Sequence, residues 1–287
     1  MSAYRIINRG RTRDILGEGL LWSSRDNAVY WTDILAPALS RLSLTTGAIE
    51  RWDMPEMIGW VIERRDASGF IAGFRNGFAE LHLDPVTVVP IADPEPHLPE
   101  NRLNDAKADR WGRIWAGTMP LSCDRPDGSL YRLDPDRSFV AVDSGYCVAN
   151  GPAISPDQTW LYHSDTPNRV IYRFGLGEDG TLTGKTPFIR FPHDWGMPDG
   201  MTCDAEGYLW VAHWGGARVS RFDPDGALDR TISLPASQIT NICFAGDNLD
   251  RMFVTSAADK RPFEPSAGCL FEIDAGVRGL APGMFAG

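Results

Sequence analysis

An internal repeat restricts the fold of this sequence more than any other feature. Six short segments begin at positions 18, 58, 104, 150, 199 and 241, at intervals of 40, 46, 46, 49 and 42 residues. The segments are EGLLWS (18–23), IGWVIE (58–63), NDAKAD (104–109), NGPAIS (150–155), DGMTCD (199–204) and NICFAG (241–246). Repeats of about 40–50 residues that each hold several short strands are typical of a β-propeller.

Each unit continues with two further strand-like runs, rich in β-branched and aromatic residues and bounded by Gly, Pro, Asp or Asn. The first runs are AVYWTD (28–33), GFIAGF (69–74), GRIWAGT (112–118), TWLYHSD (159–165), GYLWVAH (207–213) and RMFVTSA (251–257). The second runs are LSRLSL (39–44), FAELHLD (78–84), SLYRLDP (129–135), VIYRFGL (170–176), RVSRFD (218–223) and CLFEID (269–274). No amphipathic helix pattern of ten or more residues interrupts them.

We therefore predict an all-β chain in which residues 1–287 form a single domain, a six-bladed β-propeller with a central channel. The strand-like run YRIINR (4–9) precedes the first unit. We expect it to pair with the C-terminal blade and close the ring, because an open sheet edge invites pairing with other chains.

Composition excludes several classes of partner. The formal net charge of −10 argues against a nucleic-acid surface, which needs clustered Lys and Arg. No apolar run approaches the roughly 20 residues of a membrane-spanning helix, and the first residues, MSAYRIINRGRTRD, lack the apolar core of a signal peptide. The five cysteines include no CxxC pair, so buried free thiols in a reducing cytoplasm are expected. Oligomeric state leaves no trace in the sequence.

The first residue of each inner segment should face the channel at one mouth. These head residues are Glu18, Ile58, Asn104, Asn150, Asp199 and Asn241. Five of the six carry side-chain oxygen, and carboxylates gathered in one small cavity would repel each other unless a divalent cation bound between them. Hard oxygen ligands favour calcium, magnesium or manganese. Alternatively, Asn and Asp simply cap turns at these positions, although Glu18 and the shared register argue against that reading.

The tripeptide Pro-Asp-Gly occurs three times, with Asp127, Asp199 and Asp225 at its centre. Each copy has the chemistry of a turn, since Pro fixes φ, Asp bonds to its own backbone and Gly accepts unusual dihedrals. Only Asp199 stands at the head of an inner segment. We predict that its carboxylate points into the channel.

Four ordered blocks of the chain resemble the SMP-30/gluconolactonase/regucalcin-like family. They are LGEGLLWSSRDNAVYWTDI, NRLNDAKADRWGRIWAGTM, NGPAISPDQTWLYHSDT and PDGMTCDAEGYLWVAHWGG, spread from Leu16 to Gly216. The resemblance implies a six-bladed propeller with one divalent metal at the channel mouth. It also implies that Glu18, Asn150 and Asp199 are the metal ligands.

The same resemblance implies that Arg102 and Asn104 contact the substrate. Some animal members carry an acidic residue just after the sequence GTM, and Ser122 stands at about that place here. The chain is therefore more similar to a bacterial-type sugar lactonase, which hydrolyses an aldonolactone such as gluconolactone, xylonolactone or arabinonolactone to the aldonic acid. Calcium is the expected ion, with manganese, zinc, magnesium and ferrous iron as alternatives.

The chemistry of ester hydrolysis suits such a site. Three protein ligands leave coordination positions for water and substrate. Asp199 is also predicted to be the catalytic base that accepts a proton from the attacking water, and the Arg102 guanidinium can donate paired hydrogen bonds to substrate oxygens. Two other hypotheses remain open: a metal site that hydrolyses other esters or organophosphates, and a non-enzymatic metal-binding scaffold.

Other candidates receive structural roles. We expect His213 to be a hydrogen-bonded structural residue and Asp105 to support Arg102 or the backbone. The sequence has no GxSxG nucleophile elbow, and it has no GxGxxG or Walker loop for a nucleotide cofactor.

Overall fold

The computed structural model describes residues 4–8 and 13–287. These residues form 24 strands and one 3-10 turn at His193–Trp195. The strands are arranged in six antiparallel four-stranded sheets, which confirms the predicted all-β, six-bladed propeller. No helix in the described part of the chain is long and apolar enough to cross a membrane.

The first strand, β1 (Tyr4–Ile6), stands apart from the blades that follow it in the chain. Blade 1 contains β2 (Gly17–Ser23), β3 (Ala28–Asp33), β4 (Ala38–Ser43) and β5 (Ile49–Asp53). Blade 2 contains β6 (Ile58–Glu63), β7 (Phe70–Phe74), β8 (Gly77–Leu83) and β9 (Val86–Ala92). Blade 3 contains β10 (Asn101–Ala108), β11 (Ile114–Pro120), β12 (Gly128–Leu133) and β13 (Phe139–Tyr146).

The second half of the chain repeats this arrangement. Blade 4 contains β14 (Ala149–Ile154), β15 (Trp160–Asp165), β16 (Val170–Leu176) and β17 (Leu182–Arg190). Blade 5 contains β18 (Met197–Cys203), β19 (Leu209–Trp214), β20 (Arg218–Phe222) and β21 (Leu228–Ser233). Blade 6 contains β22 (Ile239–Ala245), β23 (Arg251–Ser256) and β24 (Phe271–Asp274), and its fourth strand is β1.

The N-terminal strand closes the ring as predicted. β1 pairs antiparallel with β24, from Tyr4 opposite Ile273 to Ile6 opposite Phe271. Asn8 continues the contact, because its side-chain oxygen accepts a hydrogen bond from the backbone N–H of Leu270 at 3.0 Å. The last residue of the predicted run, position 9, lies outside the described residues.

Hydrophobic cores lie between neighbouring blades. Six clusters of buried apolar side chains each join two adjacent sheets, because residues on the two faces of a strand contact different neighbours. Trp60 packs between blades 2 and 3, and Trp210 packs between blades 5 and 6. These tryptophans hold the blades at fixed angles around the axis.

Two buried tryptophans, Trp115 and Trp210, are each anchored by an aspartate six residues earlier in the chain. Asp109 accepts a hydrogen bond from the Trp115 indole at 3.0 Å, and Asp204 accepts one from Trp210 at 2.9 Å. The same carboxylates accept backbone N–H groups of the turn that follows the inner strand. Each aspartate therefore fixes the turn and the next strand together.

The C-terminal segment crosses the face opposite the head residues. Its backbone is hydrogen-bonded to blade 5 through Arg278 and Ala205, to blade 6 through Gly279, and to blade 2 through Phe285. Phe285 is fully buried in the core between blades 2 and 3. We call this segment, residues 275–287, the rear strap, since it connects non-adjacent blades.

The five cysteines are unpaired, as expected, but they are not all buried. Cys203, Cys243 and Cys269 lie in the interior, whereas Cys147 is half-buried and Cys123 is exposed. The expectation of buried thiols is therefore wrong for the last two. Cys123 lies in the surface loop between β11 and β12, where no core exists to cover it.

Candidate active site at the channel mouth

The inner strands β2, β6, β10, β14, β18 and β22 contact one another around the axis. In each of them the register of pairing with the next strand of the same blade shifts at or beside the head residue. The shifts lie between Glu18 and Leu21, Ile58 and Trp60, Leu103 and Ala106, Asn150 and Ala153, Pro198 and Met201, and Ile239 and Ile242. A β-bulge leaves residues outside the ladder and redirects their side chains. Asn104, Asp199 and Asn241 lie within these shifts, whereas Glu18, Ile58 and Asn150 are the last paired residues before them.

A first hydrogen-bond chain joins blades 3, 4 and 5. The Arg102 Nη1 group donates to Asn104 Oδ1 at 2.7 Å, and Asn104 Nδ2 donates to Asn150 Oδ1 at 3.1 Å. Asn150 Nδ2 then donates to Asp199 Oδ1 at 2.5 Å. Thr166 supports the Asn150–Asp199 end of this chain. Its Oγ1 accepts a hydrogen bond from Asn150 Nδ2 at 3.1 Å and donates one to the Pro198 carbonyl.

A second chain joins blades 6, 1 and 3. Asn241 Nδ2 donates to Glu18 Oε2 at 3.0 Å and to Asp105 Oδ2 at 3.2 Å. The amide orientation of Asn241 is fixed by its own oxygen, which accepts the Ile242 N–H at 2.9 Å. One amide therefore bridges two carboxylates that come from different blades.

Burial and the repulsion between neighbouring carboxylates raise the pKa values of the acidic side chains in this cluster. Burial, followed by the charge of Asp105, raises the pKa of Glu18 to about 8. Burial also raises the pKa of Asp105 to about 6. The pKa of Asp199 lies well above its ordinary value because of burial and the nearby charges of Glu18 and Asp105. Three carboxylates beside one guanidinium, that of Arg102, form a site that attracts cations.

The structure brings the predicted site residues together. Glu18, Asn104, Asn150 and Asp199 are all buried at the mouth, and Arg102 is only 7% exposed despite its charge. The aspartates of the other two Pro-Asp-Gly tripeptides behave differently. Asp127 is half-buried and Asp225 is exposed, whereas Asp199 is 2% exposed and lies within β18.

Sequence reasoning missed two members of the cluster. Asp105 supports the backbone as expected, by accepting the Ala106 N–H at 2.8 Å, but its other oxygen binds Asn241 and not Arg102. The bulge in β10 explains this, because it places two consecutive residues, Asn104 and Asp105, in the cluster. Thr166 follows β15, and no sequence signal distinguishes it from an ordinary turn residue.

The remaining candidates take structural positions. His213 is buried, its Nδ1 lies 2.7 Å from the Trp195 carbonyl, and its ring packs against Phe191 at 4.6 Å. His213 is thus hydrogen-bonded as expected, and its structural role stays a prediction. Ser122 is exposed in the loop between β11 and β12, and Trp214 is half-buried at the end of β19.

A small cavity of about 110 Å³ opens beside the cluster. Arg102 and Arg75 line it, together with Asn101 and residues of the segment 93–99. Arg102 uses only Nη1 in its hydrogen bonds to Asn104 and to the Leu103 carbonyl, among the residues described. Its other N–H donors are therefore available to a molecule that enters from the mouth.

The donor set can be tested for its fit to a cation. No group of three or more His, Cys, Asp or Glu side chains in the described residues is arranged to hold a metal. The predicted ligand set contains only two such residues, Glu18 and Asp199, and its third member is the Asn150 amide. All three offer hard oxygen atoms, and a divalent cation would offset the repulsion that raises both carboxyl pKa values. The residues thus fit a hard cation better than a thiophilic one.

Comparison with known proteins places the chain in a family. The family model described as the SMP-30/gluconolactonase/LRE-like region matches residues 16–258. The chain belongs to this family. Within the SMP-30/gluconolactonase family, a 6-deoxy-6-sulfogluconolactonase of Pseudomonas putida is 37% identical over 96% of this chain and 97% of its own. A pentonolactonase of Haloferax volcanii is 33% identical over 97% of this chain and 96% of its own.

A solved family structure agrees with the fold. The crystal structure of a calcium-binding protein, regucalcin, from Agrobacterium tumefaciens matches with a TM-score of 0.94 and 28% identity. The match covers 99% of this chain and 97% of that one. The resemblance inferred from the four sequence blocks is therefore confirmed.

Proposed function

We propose that this protein is a lactonase that hydrolyses a sugar lactone to the corresponding aldonic acid with the help of one divalent cation. The observation that carries the proposal is the convergence of Glu18, Asn150 and Asp199 at one channel mouth beside Arg102. Two relatives that align over nearly their whole length are named as sugar lactonases, which supports the same reaction class here.

In this proposal, Glu18, Asn150 and Asp199 hold the ion. When bound, the ion acts as a Lewis acid that polarises the lactone carbonyl and stabilises the charge developing on its oxygen. Calcium is the proposed ion because every ligand is a hard oxygen, with manganese, magnesium, zinc and ferrous iron as alternatives.

The protein's own groups orient the reactants. Asp199 accepts the proton of the attacking water, and the hydrogen bond from Asn150 holds its carboxylate in place. Arg102 donates its free N–H groups to oxygens of the sugar ring or its hydroxyls. Asn104 is engaged on both sides, by Arg102 and by Asn150, so it fixes Arg102 relative to the ligand set as well as lining the substrate site.

The size and polarity of the mouth favour a sugar. Arginine and amide donors suit hydroxyl-rich substrates, and a wide apolar pocket would be needed for an aryl ester or organophosphate.

The panel of lactones to test comprises gluconolactone, xylonolactone and arabinonolactone, together with the 6-sulfo derivative named for the Pseudomonas relative. A scaffold that binds metal without turnover is the competing hypothesis. We also propose that the protein works in the reducing cytoplasm predicted from its cysteines.

Isosteric variants test the proposal. Asp199→Asn and Glu18→Gln should lower lactone hydrolysis by roughly 10²- to 10⁴-fold, the range associated with loss of an acid–base group. Asp225→Asn is the matched control, since it changes the same tripeptide where it forms only an exposed turn. Rates are measured by acid release, with spontaneous hydrolysis subtracted, and circular dichroism confirms folding. Full activity of Asp199→Asn, together with no loss on thorough chelation, would exclude the proposed mechanism.

A further inference from the structure

A second cavity, of about 350 Å³, lies behind the cluster on the same axis. All six inner strands contribute to its wall, and the rear strap covers it with residues 280–284. The lining residues on the inner strands come two to four positions after the head residues, on the other side of the bulges. The cavity is therefore the rear half of the central channel, and it is separate from the candidate active site.

Most of the lining residues are apolar, and one lysine stands among them. Leu20, Val61, Ala106 and Ile154 are typical wall residues, and Lys107 is the residue that brings an ammonium group to the cavity. Lys107 lies on β10 beyond the bulge that contains Asn104 and Asp105, and it is paired with Trp115 of β11. Lys107 is three positions after the head residue Asn104, a distance of about 10 Å along a strand.

The Lys107 ammonium has no close partner in the described part of the chain. It forms no hydrogen bond there, and no carboxylate lies within 4.0 Å of it. Asp105 is near enough to feel the charge, since Lys107 lowers its pKa, but the two groups are not an ion pair. Lys107 is half-buried, so its ammonium can pair with a negative charge on a ligand in the cavity.

The rim adds to the positive charge. Arg65 and Arg110 also line the cavity; both are exposed, and the Arg110 guanidinium lies 3.7 Å from the Glu178 carboxylate. The one lining carboxylate, that of Asp109, is already bound by Arg113 at 2.6 Å and by the Trp115 indole. The lining thus has an excess of positive charge, although the whole chain has a formal net charge of −10.

We propose that the rear half of the channel is a binding site for a small organic anion, in which Lys107 pairs with a carboxylate and the apolar wall holds an aliphatic body. The volume falls within the range of small-molecule pockets, and a lining that combines apolar side chains with polar groups is typical of them. The site is independent of the lactonase proposal, because it uses none of the proposed metal or substrate residues.

Two ligands of nearly the same shape test whether the Lys107 ammonium pairs with the negative charge of a carboxylate. Pentanoate and pentanamide have nearly the same shape, and only pentanoate can pair with an ammonium. Isothermal titration calorimetry, in the presence of chelator and without lactone, should show pentanoate binding one-to-one to the whole protein. Pentanamide should bind about tenfold more weakly, and acetate or chloride should also bind more weakly because they leave the apolar wall unfilled.

Substitutions locate the site. Lys107→Met should weaken pentanoate binding about tenfold or more and leave pentanamide unchanged, while Lys107→Arg should preserve pentanoate binding. Lys185→Met, at a lysine far from the cavity, and Arg102→Met, at the front mouth, should both bind pentanoate like the wild type. Equal binding of the two probes, or unchanged pentanoate affinity in Lys107→Met, would overturn the proposal. Loss of pentanoate binding in Arg102→Met would overturn it as well, by assigning the anion to the front mouth.

Discussion

At the scale of single residues, Arg102 has an unusual environment for a cation. Burial lowers its pKa, and the charges of Glu18 and Asp199 oppose that effect. Its side chain also supplies the hydrogen bond that begins the Arg102–Asn104–Asn150–Asp199 chain. One residue therefore neutralises part of the acidic cluster and fixes the orientation of two amides.

Substitutions of Arg102 should separate the effect of its positive charge from the effect of its planar hydrogen-bonding geometry. Arg102→Met removes both, and kcat/KM for the preferred lactone should fall by about 10- to 100-fold, the effect of losing a hydrogen bond to a charged donor. Arg102→Lys restores the charge but not the planar fork, so it should recover only part of the loss, mainly in KM.

Arg75→Met provides the control for this experiment. Arg75 lines the same small cavity, but its guanidinium binds the Pro99 carbonyl and does not belong to the cluster. Steady-state kinetics of the three variants would reject the assigned role if Arg102→Met kept a normal KM and kcat.

Individual side chains also show where sequence reasoning is limited. Glu18, Asn150 and Asp199 were identifiable because each begins an inner segment, and the repeat aligns those beginnings. Asp105 was not identifiable as a member of the cluster, because its direction depends on the bulge in β10. A bulge is a property of pairing between two strands, and the sequence of one strand does not determine it.

At the scale of elements, the inner strands could be predicted and the outermost strands could not. Inner strands are almost wholly buried, and they were recognisable because their segments recur at a nearly constant spacing in front of the aromatic runs. Outer strands such as β17 (Leu182–Arg190) are mostly exposed, and their sequences resemble loops. Their existence follows from the need to complete each blade, but their boundaries required the structure.

The bulges depend on close approach between neighbouring inner strands. Gly19, just after Glu18, has a φ of +56°, and a Cβ at this position would collide with the Gly59 carbonyl oxygen of blade 2. The collision involves backbone atoms, which cannot move aside like the end of a flexible side chain. The glycine therefore permits both the local conformation and the packing of blade 1 against blade 2.

Alanine substitutions at Gly19 and Gly47 distinguish the cost of the backbone conformation at positive φ from the cost of packing blade 1 against blade 2. Gly47→Ala also places a side chain at positive φ, +72°, but no atom lies within 4 Å of the new Cβ. It should cost about 1–2 kcal/mol of unfolding free energy. Gly19→Ala should cost roughly 1–3 kcal/mol more, and should reduce lactone hydrolysis because Glu18 is displaced. Denaturant titration and activity assays check both; equal destabilisation by the two variants would show that packing at Gly19 is unimportant.

At the scale of the whole molecule, the acidic cluster should make stability depend on pH. The folded protein keeps Glu18 protonated up to a pKa of about 8, whereas the unfolded chain releases that proton near pH 4.5. Between these values the folded state binds more protons, so the free energy of unfolding decreases as pH rises. The slope is about 1.4 kcal/mol per pH unit for each extra proton bound.

The clearest window for this measurement is pH 6.5 to 8.5. Below it, buried His163 adds an opposite slope, because burial lowers its folded pKa to about 3 and the unfolded chain takes up the proton first. In the presence of chelator, the melting temperature should fall across the window, and Glu18→Gln should flatten the profile. Added calcium should raise the melting temperature most at the upper end, by binding the ionised site. A flat profile in the chelated wild type would contradict the assigned proton uptake.

The pairing of β1 with β24 also has a kinetic consequence. Arg5 and Glu272 in these strands are hydrogen-bonded across a separation of 267 residues. The other sheet pairings join strands that follow one another in the chain, so each blade can form from local contacts. Contacts this distant form late, since the entropy of closing the intervening chain is lost before any contact compensates for it. Ring closure should therefore be the last step of folding, and the pairing between β1 and β24 should be the first to open when the protein unfolds.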